Sequence, residues 1–363
     1  MERGYRSYLV RVWRRRPPPA APIHVLVEEI QSGRQAELRG RAAADVAAPV
    51  EGALAGTGAG AAAGRVHGDA GGGGRMILVV GATGSVGGRI ARGLLGRGHQ
   101  VRVLVRPGSA YGPLLEAGAE AAQGDLRDPA SLAAACRGVE TLVTTAISLG
   151  RAAPDTVETV ELDGYRSLFE AARSAGVRHV VYTSMLEADT RSPVPFVAAK
   201  AVTEQRLRDS GLAWTILAPD VFMDVWLAAV VAGPALSGGD VWYVGSGRRR
   251  HSFVHGADVA AFAVAAVDDP AAIGRRLAIG GPEALTLHDV VGVFGSLLGR
   301  TIAEHGVQPG EPVPGLPPLM AGMLGMLDAS ESVLPMEELA AEFGVRLTSV
   351  REWAQSLVPV GTR

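Results

Sequence analysis

The segment Met76–Gly88, MILVVGATGSVGG, constrains this chain more than any other. Met76 to Val80 is an unbroken apolar run, the pattern of a parallel strand buried on both faces. Glycines follow at Gly81, Gly84 and Gly87, and helical spacing then sets in at Val86, Ile90, Leu94 and Leu95 before a stop at Gly98. Strand, glycine loop and helix in this order are the sequence signature of a dinucleotide-binding βα turn. Gly81 permits the tight turn, Gly84 lets backbone N–H groups approach a pyrophosphate, and Gly87 lets the helix pack close to the strand. The positive end of the helix dipole favours the anion. Thr83, Ser85 and Val86 lie in the same loop and are expected to face the cofactor with the glycines.

Beyond this unit, strand and helix patterns alternate. Strands are expected at Val101–Val105, Ala119–Gln123, Thr141–Thr145, His179–Thr183 and Trp214–Leu217, with helices between them, the longest over about Asp155–Ala175. That alternation predicts an α/β protein with a Rossmann-type, doubly wound parallel sheet. The regular pattern fades after Pro219, which divides the chain into a dinucleotide-binding core, 76–219, and a smaller C-terminal substrate-side region, 220–363, structurally part of the same domain. Residues 1–75 read differently: PPPAAP, GAGAAAG and GGGG bury too little apolar surface to offset chain entropy, so a disordered low-complexity extension is expected. The Arg-rich start MERGYRSYLVRVWRRR also admits a targeting or surface-binding arm, and Met76 admits a start codon set upstream of the true one.

Charge and composition exclude several classes of partner. A formal net charge of −2 provides no overall attraction to nucleic acid. The longest apolar runs fall short of the roughly 20 residues that span a bilayer, so no membrane segment is expected. Cys136 is the sole cysteine, which rules out an internal disulfide and leaves no cysteine-based metal site, so the cytoplasm is the default location. An NAD-specific site places Asp or Glu about 20 residues after the loop, on the ribose 2′-hydroxyl. Here that stretch reads QVRVLVR, with no acid, and Arg106 stands where a guanidinium can pair a 2′-phosphate, assisted by Arg102 and Ser109. NADP(H) is the expected cofactor, with NAD(H) still open.

Several blocks in order resemble the NmrA-like group of atypical short-chain dehydrogenases, which includes isoflavone-reductase-like enzymes, NADPH:quinone reductases and redox-sensing regulators. They are GATGSVGG, LVRPGS at 104–109, GDLRDPASL at 124–132, AGVRHVVYTS at 175–184, KAVTEQRLRDSGLAWTILAP at 200–219, FVHGADVA at 253–260 and GGPEALTLHDV at 280–290. The resemblance implies that Asp125 and Leu126 border the adenine, Thr145 and Ala146 the cofactor ribose, and Pro219, Val221 and Phe222 the nicotinamide. Ordinary short-chain dehydrogenases use a Tyr acid and a Lys four residues later; the corresponding pair here is Phe196 and Lys200. Phenylalanine has no proton to give, so Tyr-type acid catalysis is excluded. Lys200 keeps the spacing to bind ribose or act at the nicotinamide end, and Ser184, just after the fifth strand, is a second candidate catalytic group. Phe196, Phe222, Met223 and Trp226 are expected to line the substrate pocket.

His251 and His255 flank SFV within RRRHSFVH and read more readily as packing or surface residues than as substrate contacts; no spaced set of metal ligands accompanies them. Met320, Met323 and Met326 suit a flexible lid or core helix, and their stretch is expected to help wall the apolar cavity with Phe222, Met223 and Trp226. Two functions follow: an NADPH-dependent reductase passing hydride to a small electron-poor acceptor such as a quinone or enone, or a non-catalytic NADP(H) sensor. A homodimer is compatible with either. Because no segment before Met76 carries a core pattern, a protein starting at Met76 is expected to remain soluble and bind NADPH normally; loss of soluble protein on that truncation would assign the arm to the fold.

Overall fold

The computed structural model describes residues 75–149, 151 and 153–358, with the backbones of three strands in the N-terminal arm. These are β1 (Tyr8–Arg14), β2 (Ile23–Glu29) and β3 (Gln35–Gly40), an antiparallel sheet in the order β1-β2-β3. They stand where the sequence reading expects disorder. Their register pairs Val10 with Val27, Val12 with Val25, and Val25 with Leu38. Short β-branched runs of period two are the local signal for strands, and here they are set among Arg, Pro and Gly that mask it in the composition. The rest of the expected extension lies outside the described residues.

The core begins with β4 (Met76–Val80), α1 (Ser85–Gly96), β5 (Gln100–Val105), α2 (Gly112–Glu116), β6 (Glu120–Gln123), α3 (Pro129–Ala135) and β7 (Thr141–Thr144). A π-helical turn at Val157–Leu162 runs into α4 (Asp163–Ser174), followed by β8 (His179–Thr183), α5 (Pro195–Asp209) and β9 (Ala213–Pro219). A second π-helical segment, Met223–Ala232, leads into α6 (Gly233–Ser237), β10 (Val241–Val244), α7 (Gly256–Asp268) and β11 (Arg275–Ile279). The chain continues through α8 (Leu287–Leu298), β12 (Glu304–Val307), α9 (Pro318–Ala329), α10 (Glu337–Glu342) and α11 (Val350–Leu357).

Seven strands form one parallel sheet in the order β6-β5-β4-β7-β8-β9-β11. Alternate side chains of each strand enter different cores, as a pleated strand requires. Ile77 and Val79 join Ile90 and Leu94 of α1 and Phe262 of α7, while Leu78 and Val80 join Leu132 of α3, Tyr165 and Leu168 of α4 and Leu207 of α5. Helices therefore cover both faces, and the uninterrupted apolar run at 76–80 is explained. The seventh strand comes from the C-terminal region: β11 pairs with β9, and α7 packs on α1, where a Cβ at Gly93 would lie 2.9 Å from Val264. A separate core, with Leu227, Phe253, Phe294 and Trp353, builds the cap over the sheet's C-terminal edge. The order in which strands are added across the sheet reverses between β4 and β7, the switch point at which open α/β sheets bind ligands.

The long helix expected from Asp155 begins two residues later. Thr156 is its N-cap, closing a reciprocal box with Thr159, which leaves the Asp155 carboxylate outside the helix. Rare π-helical turns concentrate at functional sites, and both of those seen here border the cleft at the switch point.

Candidate cofactor and substrate site

The glycine loop derives its shape from two close approaches. Gly81 has φ +88°, a conformation that L side chains rarely adopt. A Cβ on Gly87 would lie 2.3 Å from the Gly81 carbonyl oxygen, so α1 sits against the strand exit only because that position is glycine. Gly84 differs: its φ is −84°, and a Cβ there would meet only the Gly81 oxygen, at 3.3 Å. It is exposed at the N-cap of a 12-residue helix with no side-chain cap and no acid in its first turn, so the helix N-terminus offers its N–H groups outward. Arg89 ties the loop to the cap, donating to Ser85 Oγ at 2.6 Å and to Asp224 Oδ2 at 3.2 Å.

Two adjoining cavities run from this loop and share Gly81, Ala146, Ile147 and Arg151. The smaller, ≈ 60 Å³, is lined by Arg106, Asp125, Leu126 and Asp155. Asp155 is its electrostatic hub. Its Oδ2 lies 2.6 Å from Arg106 Nη1 and 3.2 Å from Arg151 Nη1, and its Oδ1 lies 3.4 Å from Arg127 Nε. Arg127 also forks onto Asp125, and that hydrogen bond, reinforced by the Arg127 and Arg106 charges, holds the Asp125 carboxyl below its usual range against the opposing effect of burial. Three guanidiniums thus face two carboxylates, leaving a net positive corner beside Arg106. Arg102, expected to assist there, is turned away: it pairs with Glu120 and donates to the carbonyls of Ala135 and Arg137. An even spacing of four residues keeps it on the Arg106 face, and it is these partners that hold it out of the corner.

The larger cavity, ≈ 380 Å³, is lined by Gly81, Thr83, Gly84, Ser85, Val86 and Gly87 at one end and by Phe196, Phe222 and Trp226 further along. Thr145, Ala146, Ser184, Lys200 and Pro219 also line it. Met223 does not. It is fully buried in the cap core, because the π-helical turn that exposes Val225 and Trp226 to the cleft turns Met223 inward. Its place is taken by Met323 and Met326 of α9, from the methionine-containing stretch expected to help wall the pocket, and by residues that the sequence reading passed over or read as packing: Asp220, His251 and Leu327. His255 serves as the N-cap of α7.

Lys200 is 1% exposed although it contributes to the lining of the cavity. Its Nζ lies 3.3 Å from Glu161 Oε2 and 5.1 to 5.6 Å from the ring centres of Tyr182, Phe196 and Tyr165. Glu161, fully buried, accepts the Ser148 N–H at 2.8 Å, and Tyr165 donates to the Ala146 carbonyl at 2.7 Å. The lysine thus acts through Glu161 on the loop after β7, which forms the wall shared by both cavities. Removing one partner of such a buried pair leaves an uncompensated charge. The Thr183 and Ser184 hydroxyls, at the C-terminal end of β8, are buried against the cavity with no hydrogen-bond partner among the described residues. Buried hydroxyls normally have partners, so these two suit a ligand that brings its own polar atoms. No cluster that suits a metal ion occurs among the described residues, and no described helix is long and apolar enough to cross a membrane.

The sheet, the switch point and the glycine loop define a nucleotide-binding protein of the Rossmann type. The chain belongs to the NmrA-like family, whose profile matches residues 74–340. It is 32% identical over 228 residues to the NAD(P)H azoreductase of Xenophilus azovorans, covering 62% of this chain and 75% of that protein. It is 29% identical over 265 residues to quinone oxidoreductase 2 of Escherichia coli, covering 71% of this chain and 88% of that one. A crystal structure of an NADPH-dependent quinone oxidoreductase from Escherichia coli superposes with a TM-score of 0.66 at 25% identity, over 78% of this chain and 99% of the other.

The two loop glycines separate binding from folding. Gly84→Val is expected to leave the apo protein's melting temperature nearly unchanged while abolishing measurable NADPH binding in calorimetry. Gly87→Ala, which drives a methyl into the Gly81 carbonyl, should cost about 1–3 kcal/mol of stability. Equal destabilisation by both would mean that the loop's spacing serves packing alone.

Proposed function

We propose that this chain is an NADPH-dependent reductase that transfers hydride to a small, flat, electron-poor acceptor such as a quinone or enone. The observation that carries this reading is the ≈ 380 Å³ cavity, which starts at the glycine loop and continues past Pro219 to apolar walls of Phe196, Phe222 and Trp226 under the methionines of α9. A cofactor sensor needs the loop but has no use for a shaped apolar chamber beyond it. The names of the azoreductase and quinone oxidoreductase relatives point the same way.

The residues present fit NADPH. Gly81, Gly84, Gly87 and the N-terminus of α1 form a cradle for a pyrophosphate, with Thr83, Ser85 and Val86 around it. Arg106, in the positive corner with Arg151 and Arg127, is placed for a 2′-phosphate; Asp125 and Leu126 face the adenine side, and Thr145, Ala146 and Pro219 line the path of the ribose and nicotinamide. When bound, NADPH supplies the hydride. The chain's part is to orient and to exclude water: Phe222, Trp226 and the α9 methionines hold a flat acceptor against the nicotinamide end, and the unpartnered Thr183 and Ser184 hydroxyls fix polar atoms. Lys200 is a positioning residue in this reading, because its charge is paired with the buried Glu161, which in turn holds the loop at Ser148. Phe196 in the tyrosine position excludes alcohol oxidation by the ordinary route.

Steady-state NADPH oxidation with a panel of quinones, azo compounds and enones tests the activity; turnover with none of them contradicts it. Arg106→Ala supplies the cofactor arm of the test. Asp155 keeps Arg151 and Arg127 when Arg106 is gone, so the corner should hold its shape. Loss of a charge-assisted contact of about 1.5–3 kcal/mol should weaken NADPH binding by roughly 10- to 150-fold and leave NADH nearly unchanged. Equal weakening of both cofactors would mean that the arginine's role is structural.

A further inference from the structure

Reduction of a quinone by hydride needs a proton as well, and the residue that ordinarily gives one is Phe196 here. Elsewhere around the cavity, three buried side chains from three separate segments form a continuous chain. Ser332 Oγ lies 2.6 Å from Asp220 Oδ2 and 2.8 Å from His251 Nδ1, and His251 Nε2 lies 2.9 Å from the Leu327 carbonyl oxygen. Asp220 Oδ2 also accepts the Ser252 N–H at 2.9 Å. Asp220, His251 and Ser332 are 9%, 3% and 6% exposed. The two ends of the chain, Asp220 and His251, line the cavity.

Hydrogen-bond arithmetic fixes the proton content of this chain. A carbonyl oxygen only accepts, so His251 Nε2 carries hydrogen. Ser332 has one hydroxyl proton. If it goes to Asp220, the contact at Nδ1 requires N–H, and the ring is an imidazolium facing a carboxylate. If it goes to Nδ1, the contact with Asp220 requires a protonated acid. Both arrangements hold one proton more than a neutral imidazole and a carboxylate, and removing it leaves one of the contacts without a hydrogen. Burial raises the Asp220 carboxyl, opposed by the Ser332 hydrogen bond and the nearby ring, which favours the protonated acid. The charged groups around the cavity are otherwise engaged: Lys200 by Glu161, Asp224 by Arg89, and Arg151 by Asp155. Arg249 and Arg250 turn to the carbonyls of Asp328 and Ala284, Asp328 takes Ser246, and Glu187 is exposed on the loop after β8.

We propose that Asp220, Ser332 and His251 form a proton relay that supplies the acid for the reductive half of the reaction. This rests on the reductase reading. Hydride from the bound cofactor takes the acceptor to a hydroquinone monoanion. Asp220, beside Pro219 at the end of β9, gives its proton to the second oxygen, yielding the hydroquinone and an Asp220 carboxylate. Ser332 then turns its hydroxyl to the Asp220 carboxylate; the next solvent proton enters from the cavity at Asp220, and the hydroxyl turns back to His251 Nδ1, because both ring nitrogens of His251 are engaged. The relay replaces the missing tyrosine from another part of the cavity lining.

The test has a kinetic arm and a spectroscopic arm. In the wild type, kcat/KM for a quinone should be flat at neutral pH and fall tenfold per pH unit once the chain loses its proton. Ser332→Ala should lower it about 100-fold at neutral pH and abolish that break, with NADPH affinity unchanged. In 15N NMR of the protein without cofactor, the His251 Nδ1 signal at neutral pH should change in Asp220→Asn as well as in Ser332→Ala, because the chain couples the carboxyl to the ring through the hydroxyl. Turnover in Ser332→Ala with the wild-type pH profile, together with a His251 Nδ1 signal that Asp220→Asn leaves unmoved, overturns the relay and leaves the reductase reading standing. Wild-type protein that oxidises NADPH with no acceptor overturns the reductase reading and the relay's use with it.

Discussion

The close approach of α1 to the end of β4 is the constraint on which the rest depends. It exists because Gly87 has no Cβ to meet the Gly81 carbonyl and because Gly81 adopts a positive φ. With the helix seated there, its uncapped N-terminus points along the switch point between β4 and β7. The cleft, the arginine corner and the apolar chamber are arranged around that direction. The seven-stranded sheet supplies the rigidity: strands buried on both faces fix the C-terminal ends from which Thr145, Ser184 and Pro219 project.

Two charge clusters then shape the walls. On the adenosine side, Asp155 gathers Arg106, Arg127 and Arg151 in a partly solvated corner, where an incoming phosphate can compete for the guanidiniums. Under the floor, Lys200 and Glu161 form a pair almost sealed from water and roofed by aromatic rings. Such a pair contributes little net stability, but it fixes geometry, here the loop carrying Ala146 to Ser148. The familiar lysine position is therefore retained, with its charge paired to a buried carboxylate at the edge of the cleft.

Much of this was legible in the sequence. The glycine spacing, the strand alternation and the two-sided burial of Met76–Val80 follow from local rules, and six of the sheet's seven strands lie where periodicity puts them. What the sequence hid depends on long-range contact. β11 lies 56 residues beyond the end of β9, at the far side of a cap whose pattern breaks the alternation. Met223 reads as a pocket residue until the π-helical winding reverses its direction. Glu161 looks like one acid on a helix, and nothing local marks it as the partner of Lys200. Asp220, His251 and Ser332 are separated by up to 112 residues, so only the fold brings them together. In the arm, period-two runs at 8–14 and 23–29 carried a strand signal that composition outweighed.

The central claim is that a 2′-phosphorylated dinucleotide occupies this cleft with its phosphate at the arginine corner. Calorimetric titration of the wild-type protein with NADPH and, separately, with NADH measures it most directly. The account predicts that NADPH binds at least tenfold more tightly and that the advantage shrinks as salt screens the corner. Equal affinities, or a preference for NADH, would contradict it, because the absence of an acid after β5 and the net positive charge around Arg106 would then have no part in choosing the cofactor.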